Sequence, residues 1–423
     1  MRILLLTDRY PEDPPHAATG WLISHVNALR SFADVDVVGV QRVLPRVKSM
    51  LSRRAAGARP RPRVFPLTDM RDEPGGRFFL RRAFTLPDTL SWGLTAQLIS
   101  LQHGRFLRRL CRDRRPEVVV VHFTHPSAGI ALACGRRFGI PVCIAANDTP
   151  AFYAAEGKHR AVRWMRPRLE CADQIVTQCG SHAAAVKHRI AHRRISVIPL
   201  GIDPQFAAAD PQFEISASPS SPDHTSAPAS SVPYTGLPQP FHCLFVGRLD
   251  DPLKRLDAVL RGIAAAREQT GMDIRLTIAG DGILSGHFER MVSALGIASV
   301  VDFPGWVSRE ELPSLYRRHH LFVFPSEVES FGLVSLEAAA AGLPIVARAG
   351  TGVVPELAAC GAAVRQIVDS SADAVSAAVA ESVRRYERLR ADAIRAVPVV
   401  MDRFSWDEHA RRWEDLLKKT VMP

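Results

Sequence analysis

Short apolar runs recur along this chain with helix-like stretches between them, and that alternation restricts the fold more than any other feature. Ile3-Leu4-Leu5-Leu6 precede Thr7-Asp8, and similar runs stand at 35–40, 118–121, 142–146, 175–177 and 196–199. Unbroken apolar runs of this length mark strands buried on both faces. Helical spacing fills 21–31, 128–138 and 161–172, and strands alternating with helices predict a parallel sheet covered on both sides. Residues 207–240 break the pattern with seven Pro, seven Ser and no Lys or Arg, too little apolar surface to order a segment. The alternation resumes at 243–246, 275–279, 300–303, 321–324 and 345–347. The 423 residues suit two domains, each with its own core. The expected architecture is α/β, with two doubly wound Rossmann-like domains at 1–203 and 241–402 facing across a cleft. A flexible linker or insertion is expected at 204–240. An amphipathic helix is expected within 403–423, where Trp406, Ala410, Trp413, Leu416 and Leu417 share one face, and it must pack on something.

Several classes are excluded at once. No apolar run approaches the roughly 20 residues that span a bilayer, and MRILLLTDRYPED lacks the small-residue site of a cleaved signal. Seven cysteines are scattered from Cys111 to Cys360 without a CxxC spacing, which argues against a zinc ribbon or disulfide framework and fits the reducing cytoplasm. Charge is unevenly spread: residues 1–203 carry net +16, residues 204–240 net −3 and residues 241–423 net −2. Such asymmetry points to an anionic partner for the first half; a general arginine bias would give the same excess. Two basic clusters stand out. One sets Leu44, Val47 and Leu51 beside Arg46, Lys48, Arg53 and Arg54; the other, at 104–115, holds six arginines beside Phe106, Leu107 and Leu110. Segments of this kind lie on anionic membranes, or form a solvated face or a patch for an acidic soluble acceptor. No nucleic-acid motif accompanies them, so nucleic acid is not expected as a partner.

The chemistry concentrates in the second half. Leu244-Phe245-Val246 runs into Gly247-Arg248-Leu249, with Lys254 six residues after Arg248. A planar guanidinium and a point charge at a strand end suit a diphosphate, and a pair of solvated surface cations would look the same. Gly280-Asp281-Gly282 after a strand reads either as a ligand loop or as a tight turn. The run 325–338, PSEVESFGLVSLEA, follows a strand and opens a helix over 333–341 that Gly342 and Pro344 stop. With Ser330 as the expected N-cap, the amides near Phe331, Gly332 and Leu333 are left unpaired, a ready anion site. Glu329 before the helix and Glu337 within it can accept bonds from sugar hydroxyls at two points of one ligand. Glu337 has Leu336 before it and four alanines after it, surroundings that read as buried, and a buried carboxylate needs partners.

With these motifs in place the chain resembles the retaining glycosyltransferases of the GT-B fold, family 4 (glycosyl transferases group 1). FVGRLDDPLK, LTIAGDG, VVDFPGWVSREELPSLY, LFVFPSEVESFGLVSLEAAAAGLPIVA and GTGVVPEL carry the likeness, and ESFGLVSLE matches the family's two-glutamate signature. The first half resembles the family more loosely, through ILLLTDRYPEDPPHAATGW, CADQIVTQC and ISVIPLGIDPQF. The resemblance implies that Gly247, Arg248 and Lys254 hold the donor diphosphate and that Glu337 holds the ribose. It assigns Glu329, Ser330 and the amides of Phe331, Gly332 and Leu333 to the transferred sugar and phosphate. Trp306-Val307 would meet the base, Gly20 would close on the phosphates, and the C-terminal helix would pack back on the N-terminal domain. Glu329, Arg248 and Lys254 are thus the catalytic candidates. Many family members carry a His where this chain has Asn147-Asp148, so the acceptor-side contact falls to Asn147, His122 or His125; the usual Asn before Gly201 is Leu200.

The function so implied is retaining transfer from a UDP- or GDP-linked sugar to a glycan or lipid-linked acceptor. Its setting would be polysaccharide, glycolipid or glycoconjugate synthesis, in the cytoplasm or peripherally on the inner membrane face. No cofactor or metal is expected, because no Asp-x-Asp pair stands by the expected cleft and cations with a helix N-terminus can take up the leaving charge. The alternatives are a nucleotide-sugar epimerase of the same architecture and a non-catalytic nucleotide- or membrane-binding protein.

Overall fold

A computed structural model describes residues 1–7, 20–43, 68–84, 92–122, 127–147, 166–192, 194–207 and 239–422. The chain forms two compact units: Met1–Gly201 with Trp406–Pro423, and Ile202–Ser405. Both are α/β units of the Rossmann type built on mainly parallel sheets, as the alternation predicts.

The first unit holds β1 (Arg2–Thr7), β2 (Asp34–Val43), β3 (Thr68–Glu73), β4 (Gly76–Phe84), β5 (Val118–His122), β6 (Val142–Ala145), β7 (Gln174–Thr177) and β8 (Ile195–Val197). Their spatial order is β3-β4-β2-β1-β5-β6-β7-β8. All pairs are parallel except β3 with β4. Successive strand residues serve opposite faces. Leu4, Leu6, Val119 and Val121 share a core with Leu107, Leu110 and Ile130. Ile3, Leu5, Val118 and Val120 share the other with Val26, Leu29, Trp413 and Leu417. The last two belong to the Trp406–Val421 helix, which therefore packs on the N-terminal sheet beside the Gly20–Arg30 helix, as the resemblance implied.

Two sequence expectations change here. The β3–β4 hairpin, turning at Pro74-Gly75, falls in a stretch for which the sequence predicts no strand; its strands mix arginines with Phe78 and Phe79, which are buried. In the second basic cluster, part of the Trp92–Arg114 helix, Leu107 and Leu110 are buried in the core. Its apolar side is therefore already covered, and Arg105, Arg108, Arg109 and Arg112 face outward without an apolar stripe. The cluster at 44–54 lies outside the described residues. No helix among the described residues is long and apolar enough to cross a membrane.

The second unit holds β9 (Phe241–Val246), β10 (Ile274–Ala279), β11 (Val301–Gly305), β12 (Leu321–Phe324), β13 (Ile345–Arg348) and β14 (Val364–Ile367). All pairs are parallel, in the order β11-β10-β9-β12-β13-β14. The chain winds outward from β9 through β10 and β11, then crosses back to begin again with β12 beside β9. This reversal opens a crevice at the carboxyl ends of β9 and β12, where ligands of doubly wound sheets bind. Most of the expected linker, 208–238, lies outside the described residues. Its first residues are ordered: Pro204–Phe206 forms one 3-10 turn, and the Phe206 ring is fully buried, 6.1 Å from that of Tyr316.

Candidate active site

The loops after β9 and β12 meet at the switch point. After β9 the chain passes Gly247, Arg248 and Leu249 into the Pro252–Lys254 turn, where the Asp251 carboxylate accepts from the Leu253 amide at 3.0 Å. The loop after β12 is laced onto this turn. Glu327 N donates to Leu253 O at 2.8 Å, and Ser326 Oγ donates to the same carbonyl at 3.3 Å. Lys254 is thereby held against Glu329, and its ammonium donates to Oε1 of that carboxylate. Their side chains keep only 17% and 12% exposure, and the ammonium lies 5.5 Å from the Phe324 ring centre.

The helix that follows is Leu333–Ala340, and Gly332, not Ser330, is its N-cap. Gly332 has φ +86°, a left-handed conformation that glycine adopts without strain, and no side chain caps the helix. Ser330 lies two positions too early; the turn closes instead through Ser335 N to Gly332 O at 2.9 Å. The first helical amides, Leu333 and Val334, have no carbonyl one turn back. Glu329 packs over this end: a Cβ on Gly332 would stand 3.6 Å from its Cγ. Phe331 anchors the loop, buried and edge-on to Phe404 with centroids 6.3 Å apart. From below, Val353 N donates to Phe331 O at 2.7 Å, and Gly352 comes so close that a Cβ there would sit 2.3 Å from that oxygen.

Thus Lys254, Glu329, Phe331, Gly332 and Leu333 converge. Arg248 does not join them: its guanidinium is 61% exposed and pairs with Asp250 at 3.3 Å. Glu337 is 6% exposed, and its Oε2 accepts from the Tyr316 hydroxyl at 2.9 Å. No described residue bonds its Oε1. The partner expected for a buried carboxylate is therefore first of all protein, and a ribose would share Glu337 with Tyr316. Burial pushes this carboxyl above its usual range, while the Tyr316 hydroxyl and then the Arg309 guanidinium pull it back. Arg309 is fixed by Asp203, its Nε 3.1 Å from Oδ2.

The ends of β9, β10 and β11 are tied together, Gly247 N to Ala279 O at 3.0 Å and Gly280 N to Gly305 O at 2.8 Å. Gly280-Asp281-Gly282 is a strand-to-helix turn: Asp281 Oδ1 accepts from Gly282 N at 2.7 Å and from Ser285 Oγ at 3.1 Å. Just beyond β11, the Trp306 ring is 57% exposed and Val307 half-buried. Among the described residues no group of three or more His, Cys, Asp or Glu is gathered to hold a metal ion.

In the first unit, Gly20 is the first residue of its helix, and His125 lies outside the described residues. Asn147, 9% exposed, follows β6 and bonds His122 Nδ1 through Nδ2 at 2.7 Å. His122 is buried and its Nε2 meets His25 Nε2 at 2.8 Å, so it is engaged inside the fold. Sequence reasoning named Asn147 and His122 but missed His25 and His409, which complete their network from distant helices.

Residues 236–397 match the family model of glycosyl transferases group 1, and residues 50–206 match that of glycosyltransferase family 4. A D-inositol 3-phosphate glycosyltransferase of Streptomyces coelicolor is 31% identical over 281 residues, 60% of this chain and 59% of that protein. One from Salinispora arenicola is 33% identical over 223 residues, 50% of this chain and 46% of that protein. The chain thus matches about half of the length of these curated relatives. Among solved structures, a sucrose-phosphate synthase of Thermosynechococcus elongatus superposes with TM-score 0.73 at 16% identity, covering 99% of this chain and 98% of that one. Anabaena HepE in complex with UDP and glucose gives 0.68 at 15% identity, covering 99% and 100%. At such identities the likeness is one of fold.

Proposed function

We propose that this chain, which belongs to the group 1, family 4 glycosyltransferases, transfers a sugar from a nucleotide diphosphate donor to a hydroxyl acceptor. One observation carries the reading: a Lys254–Glu329 pair stands against a glycine-started helix at the switch point of a doubly wound sheet. Breaking the anomeric C–O bond drives negative charge onto the leaving diphosphate. Lys254, freed from Glu329, and the Leu333 and Val334 amides are placed to receive it. Arg248, an exposed cation on the same loop that pairs with Asp250, turns to the second phosphate. Glu329 then accepts from hydroxyls of the transferred sugar, Glu337 from the ribose, and Trp306 with Val307 covers the base. With this charge met by protein groups, the reaction runs without a metal. Retention is what the likeness to family 4 implies, and same-face attack is the route we assign to it.

UDP is the first nucleotide to test, because HepE is solved with UDP and with UDP-glucose. The acceptor is a glycan, a sugar phosphate or a lipid-linked sugar; for the last, the outward arginines of the Trp92–Arg114 helix supply attraction to an anionic bilayer. The test is a thermal-shift panel of UDP, GDP and their sugars, followed by product analysis with labelled donor. A ligand at 100 times its Kd adds about 2.7 kcal/mol of stability. Shifts with UDP or GDP, and label moving to the acceptor even with chelator present, are expected. No shift with any of them refutes the site assignment, and label that stays on the nucleotide refutes transfer.

A further inference from the structure

We infer that Pro199, His409, His25 and His122 form a proton-ordered chain that holds the Asn147 amide with its nitrogen inward and its oxygen outward, so that the end of β6 presents an acceptor to a ligand hydroxyl. The contacts run in series. His409 Nδ1 lies 2.5 Å from Pro199 O, His409 Nε2 2.7 Å from His25 Nδ1 and His25 Nε2 2.8 Å from His122 Nε2. His122 Nδ1 lies 2.7 Å from Asn147 Nδ2. All five residues belong to the first unit.

A backbone carbonyl can only accept, so His409 must carry its proton on Nδ1. A neutral imidazole has one N–H and one lone pair. His409 Nε2 is then an acceptor, and His25 must donate to it from Nδ1. By the same step His25 Nε2 accepts, His122 donates from Nε2, and His122 Nδ1 is left as a lone pair. Only the nitrogen of the Asn147 amide can satisfy that lone pair. Reversing the order would set the His409 lone pair against the Pro199 oxygen, two acceptors in a dry site. The amide orientation, normally an open choice, is thus dictated from the far end of the chain of rings.

The only other escape is an extra proton, and the surroundings oppose it. His25, His122 and His409 are 0%, 1% and 3% exposed. Their walls are aromatic: Trp21 lies 5.7 Å from His122, Trp413 5.4 Å from His25 and Trp406 5.1 Å from His409, centroid to centroid. Among the described residues, the charged side chain that bears on His409 is Arg412, a cation whose Nε is paired with Glu408 at 2.6 Å. Burial accordingly holds His122 down to about 3 and His409 to about 4, with His25 well below its ordinary value. Two elements distant in sequence, the Gly20–Arg30 helix and the C-terminal helix, therefore set the polarity of a side chain at a strand end. His25, His122 and His409 are positioning residues, and the identity of the hydroxyl as a sugar's rests on the transferase reading above.

The first arm of the test needs no turnover. Long-range proton–nitrogen correlation spectra of the labelled full chain at neutral pH report each ring's tautomer, with assignment by His→Gln variants at positions 25, 122 and 409. Nδ1–H on His409 and His25 with Nε2–H on His122 is expected; Nδ1–H on His122, or an imidazolium in the chain, overturns the proposal. The second arm compares His409→Gln with His409→Phe in transfer assays. Gln can donate to Pro199 and accept from His25, whereas Phe does neither. KM within about twofold of the parent is expected for Gln, and a rise of about tenfold for Phe, with kcat changing less. Equal KM in both variants, each with native near-UV dichroism, overturns the positioning role. If the parent transfers no sugar from any donor, the transferase reading fails and the tautomers alone decide on the chain.

Discussion

Replacing Glu329 with Gln should tighten UDP binding while slowing transfer. In the structure the Lys254 ammonium donates to Glu329, so on the proposed reading a diphosphate must compete with a carboxylate for it. At 17% and 12% exposure the pair lies between two regimes. Surface pairs are worth about 0–1 kcal/mol, and breaking a buried pair costs about 3–5 kcal/mol. A net competition of about 1–2 kcal/mol corresponds to about 5- to 30-fold in UDP Kd. Gln keeps an oxygen to hold the lysine in place but removes the charge. Lys254→Ala acts in the opposite direction, removing the cation and leaving Glu329 to repel the phosphates; it should cost about 2.7–4 kcal/mol in the barrier, or about 10²–10³ in rate. Calorimetric titration of UDP into both single variants and the double variant, at one ionic strength, gives the full cycle. Tighter binding with lower kcat for Glu329→Gln and weaker binding for Lys254→Ala are expected. The reasoning is refuted if Glu329→Gln weakens UDP as Lys254→Ala does, or if a folded Lys254→Ala binds UDP like the parent.

Two further outcomes follow from buried titrating groups. Tyr316→Phe keeps the ring packing against Phe206 and Phe322 but removes the hydroxyl that Glu337 accepts from. Glu337 has a raised carboxyl, so its contribution to stability is full below the unfolded value of about 4.5 and is lost as pH rises through the folded one; the variant enlarges that loss. The gap in unfolding free energy should widen from about pH 5 to about pH 8, reaching about 1–3 kcal/mol, and an equal gap at both would refute it. The histidine chain has the opposite sign. Its folded values lie below the unfolded value of about 6.5, so its stability is present above about pH 6.5 and falls as the unfolded state takes up protons. Denaturant titrations should show His409→Gln with a pH slope shallower by about one proton, or about 1.4 kcal/mol per pH unit; an unchanged slope would refute it.

The parallel strands were legible because burial on both faces removes polar residues from them: β1, β5, β6 and β7 are buried along all or nearly all of their length. The β3–β4 hairpin was not, since Arg77, Arg81 and Arg82 interrupt its apolar residues and mimic a solvated segment. The glutamate loop was legible through ESFGLVSLE, and its helix starts at Leu333 as the sequence predicts. The cap was misplaced because Ser is a good capping residue by chemistry, whereas the turn needed the positive φ of Gly332. Tyr316 escaped notice for a different reason. Its bond to Glu337 joins two helices across 21 positions, and neither residue's neighbours encode the other.

The two units also fix their functional atoms by different means. At the switch point Lys254 and Glu329 are set by backbone: Leu253 O, Phe331 O, Gly332 and the close approach of Gly352. Substitutions on the surrounding surface leave those bonds intact, which suits the proposed role of the loop in holding one diphosphate whatever sugar it carries. At the end of β6, the Asn147 amide is set through side chains, each ring fixing the next from one backbone anchor, Pro199 O. Replacing His25, His122 or His409 by a side chain that cannot both donate and accept removes the order that fixes the Asn147 amide. On the proposed reading, selectivity for a hydroxyl shifts through residues that never touch the ligand, while the Lys254–Glu329 loop of the other unit stays as it was.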